Sequence, residues 1–386
     1  MPELSQITDS LIGQPMFNLL AKANEMERDG KEIIHLEIGD PGFSSSPQAV
    51  EALKSALDSG LTHYTNSMGI PEFRNAVCDY TEKHWGFRPS VDQVLECPAN
   101  AIIDFTIRCV ANPGDEIIYP EPGFPTYHSV IKYNGMIPVG VKLKEENNFR
   151  MDPEDVYTSI TSKTKLIIIN SPNNPTGAVM TEKEIKYIAH IAEHNDIYIL
   201  SDEVYSRIIY DKTHYSPALS DFCKERTIIL NSLSKMFAMS GWRLGYAVGP
   251  KDLIGKMGLL LQTIISCQPA FTQLGGVAIL KDNAEFVAHM TKMLREQRDT
   301  LINGINRIPK LSCIMPDGAF YAFVNIRDMN MTSDEFSEKL LQETGVCVLP
   351  GSCFGEAGEG YVRLCYASAT VDTIKKALNK IRGFIS

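Results

Sequence analysis

Short apolar runs alternate with amphipathic stretches between residues 100 and 250. The runs typical of strands lie at 116–119, 137–141, 166–169, 197–200, 227–230 and 244–248. A helical stretch and a loop with Pro or Gly separate successive runs. Strands that alternate with helices form mostly parallel sheets covered on both faces, with ligands bound at the carboxyl ends of the strands. We therefore predict an α/β fold with a mostly parallel, mixed sheet flanked by helices.

Two segments carry clear helix signals. Thr181 and Glu184 fit a capping box, and apolar residues follow at the i, i+3, i+4 and i+7 spacing. Pro71 suits the first position of a helix, and apolar or aromatic residues recur after it. These patterns predict one amphipathic helix over 181–194 and a second one that begins at Pro71.

The last third of the chain has a different order of elements. A long charged helix is predicted over 284–307, and strand-like runs follow at 319–326, 346–349 and 361–365. A further helix is predicted from Val371. Because these elements do not continue the strand–helix alternation, they predict a second, smaller α+β domain.

The domain boundaries follow from these two patterns. The opening segment has no core of its own, so we expect it to pack across other parts of the protein as an arm. Residues 1–45 are expected to form this N-terminal arm and part of the small domain. Residues 46–283 are expected to form the large domain, which binds the ligand, and residues 284–386 the small C-terminal domain.

Composition and charge exclude several classes of protein. The chain has 386 residues, of which 44% are hydrophobic and 22% charged, as in ordinary globular proteins. With 37 basic and 47 acidic residues its net charge is −10, so bulk charge favours neither nucleic acid nor a membrane as a partner. Nine cysteines without a CxxC pair, and no apolar run of signal-peptide length at the amino terminus, favour the cytoplasm.

One uncharged stretch has the length of a membrane span. Residues 257–280 are 24 residues without Asp, Glu, Lys or Arg. The stretch also contains Pro269, the pair Gly275 and Gly276, and several Gln, Ser and Thr side chains that lipid would disfavour. We therefore predict buried helices here, at a subunit interface, and no transmembrane span.

Common catalytic motifs are absent or badly placed. The chain has no GxGxxG after a strand, no GxxxxGK[ST] and no GxSxG. His190, Glu193 and His194 match the HxxEH pattern of zinc sites. On the helix predicted over 181–194, however, the two histidines lie opposite the apolar stripe and should face solvent, outside any concave site. We therefore predict no metal site.

Polar side chains follow three consecutive strands of the predicted sheet. The run 166–169 leads into NSPNNPTG with Asn174, the run 197–200 into Asp202 and Tyr205, and the run 227–230 into Lys235. A turn explains NNPTG by itself, and a lone lysine is usually a surface residue. A turn does not explain why an amide, an acid with a phenol, and a lysine should follow three consecutive strands.

These segments resemble the fold type I pyridoxal-phosphate enzymes, specifically the class I and II aminotransferases. SLSKMFAMSGWRLG matches the lysine signature of that family at every defined position. The resemblance extends from LEIGDPGF through HYTNSMG, EPGFPTY, NNPTG and DEVY to PDGAFYAF and YVRLCYA near the end of the chain. It implies pyridoxal 5′-phosphate as cofactor, a large cofactor-binding domain and a smaller α+β domain.

The resemblance assigns roles around the cofactor ring. Lys235 would form the Schiff base with the cofactor aldehyde and then carry protons between the substrate Cα and the cofactor. Asp202 would keep the pyridine nitrogen protonated. Tyr205 and Asn174 would share the phenolic oxygen of the ring. Phe124 would stack on the pyridine face, although a phenylalanine packed in the core is the alternative.

The resemblance also assigns the ligands of the cofactor phosphate, which are the side chains of Ser232, Ser234 and Arg243 and, from the other subunit, Tyr64. The side chain of Arg363 and the backbone of Gly39 would bind the substrate α-carboxylate. For Gly39 a plain turn glycine is the alternative. A tyrosine supplied across subunits implies a homodimer with shared active sites.

One segment departs from the family pattern. Where the family has a glycine-rich turn before a helix, this chain has Cys97-Pro98-Ala99-Asn100-Ala101. Pro98 removes one N–H group, but Ala99 and Asn100 can still offer backbone amides to the phosphate at the start of a helix. The departure leaves open a change in phosphate binding or in the reaction.

The resemblance implies a cytoplasmic, homodimeric aminotransferase that exchanges an amino group between an L-α-amino acid and a 2-oxo acid by a ping-pong mechanism. A lyase, a decarboxylase or another non-transaminating enzyme on the same fold is the first alternative. A non-catalytic sensor is a second, which the acidic charge and the short segment before LEIGDPGF disfavour. Residues 12–17 and those around Phe43 are expected to line the side-chain pocket, and their apolar character favours hydrophobic or aromatic substrates.

Overall fold

The structure is a computed structural model that describes residues 3–5, 7–8, 11, 13 and 15–385. Its helices are α1 Pro15–Arg28, α2 Pro47–Asp58, α3 Pro71–Trp85, α4 Ala99–Val110, α5 Pro125–Tyr133, α6 Pro153–Thr158, α7 Glu182–His194, α8 Leu233–Met236, α9 Lys251–Ile264, α10 Ala270–Lys281, α11 Ala284–Ile305, α12 Ser333–Thr344 and α13 Val371–Ile385. Its strands are β1 Ile34–His35, β2 Val94–Glu96, β3 Glu116–Glu121, β4 Ile137–Lys142, β5 Thr164–Asn170, β6 Tyr198–Asp202, β7 Thr227–Ser232, β8 Gly245–Val248, β9 Tyr321–Asn325, β10 Val346–Cys347, β11 Leu349–Pro350 and β12 Tyr361–Cys365.

Seven strands form the large sheet, in the order β2-β8-β7-β6-β5-β3-β4. Strand β8 is antiparallel to both of its neighbours, and the other neighbouring pairs are parallel. Asn170 pairs with Asp202 and Asp202 with Leu230, so the carboxyl ends of β5, β6 and β7 lie side by side. The predicted α/β fold with a mixed, mostly parallel sheet is confirmed.

The smaller sheets join the two ends of the chain. Strands β11, β12 and β9 form an antiparallel sheet, and β1 pairs in parallel with β10 through Ile34 and Val346. Helix α1, which the sequence did not indicate, packs Ala23 against Leu341 and Cys347. The amino-terminal segment therefore packs on the carboxyl-terminal elements.

The predicted helices are present with small differences at their ends. Thr181 accepts a hydrogen bond from the Glu184 N–H, and Glu184 accepts one from the Thr181 N–H in return, so the predicted capping box precedes α7. Helix α3 begins at Pro71. The uncharged stretch 257–280 is divided between α9 and α10, and residues 262–266 are exposed rather than buried. Among the described residues, no helix is long and apolar enough to cross a membrane.

Helix α10 packs closely enough against its neighbours that it needs glycine. A Cβ atom built on Gly276 would lie 2.4 Å from Leu244 Cδ2 and 2.8 Å from Phe73 Cε2. A Cβ atom built on Gly255 in α9 would have no neighbouring atom within 4 Å, and Gly255 is exposed. The two glycines therefore form a matched pair for a stability test.

We predict opposite effects of alanine at these two glycines. Gly276→Ala should lower the free energy of unfolding by about 1–3 kcal/mol, because the methyl group overpacks a closed contact. Gly255→Ala should raise it by about 0.5 kcal/mol, because alanine favours the helix. Urea unfolding of both variants measures the two changes, and equal effects would contradict the packing of α10.

Candidate active site

A cavity of about 560 Å³ lies at the carboxyl edge of the large sheet. Twelve of the predicted site residues line it, namely Gly39, Ala99, Asn100, Phe124, Asn174, Asp202, Tyr205, Ser232, Ser234, Lys235, Arg243 and Arg363. They come from loops and elements spread over more than three hundred residues of sequence. The fold therefore gathers into one cavity the residues that the sequence motifs singled out.

Lys235 lies on the short helix α8, directly after β7. The hydroxyl of Ser232 caps this helix by accepting a hydrogen bond from the Ser234 N–H at 3.1 Å. The Lys235 Nζ atom donates to the carbonyl oxygen of Gly39 at 2.7 Å. Burial lowers the pKa of the Lys235 amine below its ordinary value. Burial therefore shifts this amine towards its neutral form, which is nucleophilic and can accept a proton.

Asp202 ends strand β6 and is 5% exposed. Its carboxylate accepts a hydrogen bond from the Tyr127 hydroxyl at 2.5 Å and one from the Val204 N–H at 3.3 Å. Burial raises the pKa of Asp202 to about 6, and the Tyr127 hydrogen bond opposes that rise. A cation beside this carboxyl group would stabilise its ionised form.

Arg363 is held by backbone and side-chain groups in a buried position on β12. Its Nη1 donates to Asn174 Oδ1 at 3.0 Å, and its Nη2 donates to the carbonyl oxygen of Glu37 at 2.5 Å. Its guanidinium carbon lies 4.4 Å from the centre of the Tyr321 ring and 5.0 Å from that of Phe354. The Nε atom has no hydrogen-bond partner among the described residues. An arginine fixed in this way retains donors for a carboxylate.

Asn170 connects two of the strand ends. Its side-chain oxygen accepts a hydrogen bond from the Asn174 N–H at 2.8 Å, and its amide nitrogen donates to the carbonyl oxygen of Asp202 at 3.2 Å. Asn174 is thereby tied to the same edge of the sheet as Asp202. The Asn174 side chain in turn receives the hydrogen bond from Arg363.

The start of helix α4 accounts for the departure at residues 97–101. Pro98 is the N-cap of α4, and its carbonyl oxygen accepts hydrogen bonds from the Ala101 and Ile102 N–H groups. Ala99 and Asn100 are therefore the first two residues of the helix, whose N–H groups have no carbonyl of a preceding turn to bond. Proline at this cap thus leaves both of these amides available to an anion.

Three predictions about lining residues have different outcomes. Tyr64 is 89% exposed and does not line the cavity of its own chain. Residues around Phe43 are expected to line the side-chain pocket, whereas Phe43 itself packs against the main hydrophobic core. Phe17 does line the cavity, together with Ile38, whereas Ile12 lies outside the described residues. Of the segment around Phe43, residues 38–40 therefore line the cavity and Phe43 itself does not.

The sequence did not identify two tyrosines of the site. Tyr127 donates to Asp202, and Tyr321 lies with its hydroxyl oxygen 2.8 Å from that of Tyr205. Both stand inside quoted motifs, EPGFPTY and PDGAFYAF, but no spacing rule indicates which motif residue faces a ligand. Their contacts join residues 75 and 116 positions apart, so only the folded chain reveals them.

The histidine motif lies on the surface, as expected. His190, Glu193 and His194 are all exposed, at the end of α7. Their ligand atoms lie within 4.8 Å of one another. None of the three lines the cavity that contains Lys235.

Comparison with known proteins gives a consistent picture. The model of the family "Aminotransferase class I and II" matches residues 31–381. Aspartate aminotransferase of Pyrococcus horikoshii is 40% identical over 366 residues, which cover 94% of this chain and 92% of that protein. Aromatic-amino-acid aminotransferase 2 of Thermococcus litoralis is 38% identical over 354 residues and 90% of both chains.

A solved structure gives the same result at the level of the fold. Aspartate aminotransferase from Thermus thermophilus, with maleate, has a TM-score of 0.95 and is 31% identical. The match covers 99% of this chain and 100% of that chain. The protein therefore belongs to the class I and II aminotransferases and is a pyridoxal-phosphate-dependent aminotransferase of fold type I.

Proposed function

We propose that the cavity is the site of transamination, with Lys235 as its covalent and proton-transferring residue, Asp202 as the partner of the cofactor ring and Arg363 as the carboxylate ligand. The observation that carries this proposal is the meeting of the three residues in one cavity of about 560 Å³. Bound pyridoxal 5′-phosphate supplies an aldehyde that takes up amino groups and a ring that accepts electrons from the substrate Cα.

The residues of the cavity fit the cofactor. The protein partners of the Asp202 carboxylate within the described chain are a hydroxyl and an N–H group, so a protonated ring nitrogen would supply the missing positive charge. The Ala99 and Asn100 amides and the side chain of Arg243 line the cavity and suit a phosphate. Phe124 lines it as well, with its ring edge-to-face against Tyr127.

The chemistry of Lys235 follows from its surroundings. Desolvation shifts the Nζ atom towards its neutral form, in which it can attack a carbonyl carbon and later accept a proton from a substrate Cα. The hydrogen bond to the Gly39 carbonyl holds Nζ at the wall of the cavity. Arg363 would fix the substrate carboxylate, so that the same Cα–H bond is always presented to this amine.

An uncharged side chain suits the rest of the cavity. The cations that line it within the described residues are Lys235, Arg243 and Arg363, and the proposed roles use all three. Phe17 and Ile38 add apolar surface. We therefore propose apolar or aromatic amino donors, and a screen of donors against pyruvate and 2-oxoglutarate tests this. Preference for aspartate over phenylalanine would contradict the proposed substrate class.

We also propose a cytoplasmic homodimer with shared active sites. Tyr64 is 89% exposed. Large apolar side chains are also exposed at Leu61, close to Tyr64 in sequence, and at Leu259 and Ile264 in α9. A second copy of the chain would cover such a surface and receive Tyr64 in its own cavity. All nine cysteines are unpaired, which supports a reducing compartment.

We propose that the domains divide at residues 45 and 283. The long helix α11 begins at Ala284, directly after the second of these boundaries.

The first prediction concerns the reaction. An amino donor added alone should shift the visible spectrum of the enzyme, and Lys235→Ala should slow this half-reaction by a factor of about 10² to 10⁴. Lys183→Ala, at an exposed position of α7, is the control and should leave the rate unchanged. Ammonia or carbon dioxide release without an oxo acid would instead support the lyase or decarboxylase alternative.

The second prediction concerns the stability of the protein without cofactor. Because burial raises the pKa of Asp202 to about 6, this residue ionises at a lower pH in the unfolded chain than in the folded protein. The free energy of unfolding should therefore fall as the pH rises from about 4 to about 6. From pH 5 to pH 7.5 the wild type should lose about 1 kcal/mol relative to Asp202→Asn, which has no proton to release. Urea unfolding at fixed protein concentration measures this difference, and parallel pH profiles would rule out the raised pKa.

The third prediction concerns the shared site. Tyr64→Ala should weaken cofactor binding, because one hydrogen bond to the phosphate is lost. When Tyr64→Ala and Lys235→Ala chains are unfolded together and refolded as a mixture, about a quarter of all sites should combine an intact Lys235 with an intact Tyr64. Activity at low cofactor concentration should then exceed that of either variant alone. No recovery in a mixture shown to contain mixed dimers would exclude sharing.

A further inference from the structure

Tyr321 lies at the meeting point of three groups of the site. Its hydroxyl oxygen is 2.8 Å from that of Tyr205, and its ring faces the Arg363 guanidinium at 4.4 Å. A Cβ atom on Gly39 would lie 2.2 Å from the Tyr321 hydroxyl oxygen, and the carbonyl of Gly39 receives the hydrogen bond from Lys235. Tyr321 is 1% exposed and lines the cavity.

We propose that Tyr321 is a positioning residue with two separable contacts. Its hydroxyl donates to Tyr205 and so directs the Tyr205 proton towards the phenolic oxygen of the cofactor. Its ring supports Arg363 in the orientation that receives the substrate carboxylate. The proposal rests on the proposed function, because it uses the roles given there to Tyr205 and Arg363.

The direction of the hydroxyl bond follows from counting protons. A tyrosine hydroxyl carries one hydrogen, so Tyr205 cannot donate both to the cofactor oxygen and to Tyr321. When Tyr205 donates to the cofactor, the proton between the two tyrosines must come from Tyr321. A hydroxyl that accepts a hydrogen bond becomes a stronger donor itself. Tyr321 would thereby strengthen the bond from Tyr205 to the cofactor.

The position of the Tyr321 hydroxyl is closely defined. The approach of Gly39 leaves no space for a side chain at residue 39, so the hydroxyl lies directly against the backbone. Tyr205 packs edge-to-face on the Tyr321 ring, with ring centres 5.7 Å apart and an angle of 82°. Both rings are buried, so water does not compete for the bond between the two hydroxyls.

The ring contact acts on a different group. Arg363 packs against the Tyr321 and Phe354 rings, and its two hydrogen-bonded nitrogens donate to Asn174 and the Glu37 carbonyl. A guanidinium packed against aromatic rings can still bind a carboxylate through its N–H groups. Loss of the Tyr321 ring would remove one of these two ring contacts, whereas loss of the hydroxyl alone would not.

Two variants separate these contacts in the cofactor-loaded enzyme. Tyr321→Phe keeps the ring. It should raise the pKa obtained by titrating the visible absorption band of the bound cofactor by about half a unit or more, because the phenolic oxygen of the cofactor receives a weaker hydrogen bond. Its KM for the best amino donor should stay within about two-fold, since the ring contact remains. Tyr321→Met removes both contacts and should also raise KM by at least about five-fold.

Tyr366→Phe is the matched control. Tyr366 is as buried as Tyr321, its hydroxyl lies 3.1 Å from that of Tyr210, and it does not line the cavity. The KM of the Tyr366→Phe variant, and the pKa obtained from its visible absorption band, should equal those of the wild type. The proposal would be overturned if Tyr321→Phe titrated like the wild type, if Tyr366→Phe shifted the band equally, or if Tyr321→Met left KM unchanged. If the wild-type protein formed no visible band with the cofactor, the proposed function itself would fail.

Discussion

Desolvation of two ionisable groups at one edge of the large sheet is the constraint on which the site depends. Removing an amine or a carboxyl group from water disfavours its charged form. Among the described residues, Lys235 donates to a carbonyl oxygen and Asp202 accepts from a hydroxyl and an N–H group, so neither has a charged hydrogen-bonding partner. Lys235 is thereby biased towards its neutral, nucleophilic form. The ionised form of Asp202 is disfavoured by burial, and a protonated cofactor ring beside it would stabilise that form.

The scaffold supports these groups through rigid neighbours. Three strands end side by side, so Asn170, Asp202 and Ser232 start from fixed backbone positions. The small sheet then brings Arg363 and Tyr321 over the same edge, on the neighbouring strands β12 and β9. The cavity is therefore bounded by elements from both parts of the chain, and the backbone of Gly39 closes it where no side chain would fit.

Much of this arrangement could be predicted from the sequence, because strand ends and motif residues are local features. The runs that precede Asn174, Asp202 and Lys235 are strands β5, β6 and β7, and all three residues line the cavity. The parts that could not be predicted depend on distant contacts. Tyr321 meets Tyr205 across 116 residues, Ala23 of helix α1 packs against Leu341 and Cys347, and Phe43 packs against the main core. No local pattern encodes such contacts.

Lys235 is proposed to hold the cofactor covalently. Reduction of the cofactor-loaded enzyme with borohydride, followed by proteolysis and mass spectrometry, identifies the residue that does so. We expect one modified peptide, with the reduced pyridoxyl-phosphate group on Lys235. Modification of another lysine, or complete release of unmodified cofactor after reduction, would contradict it.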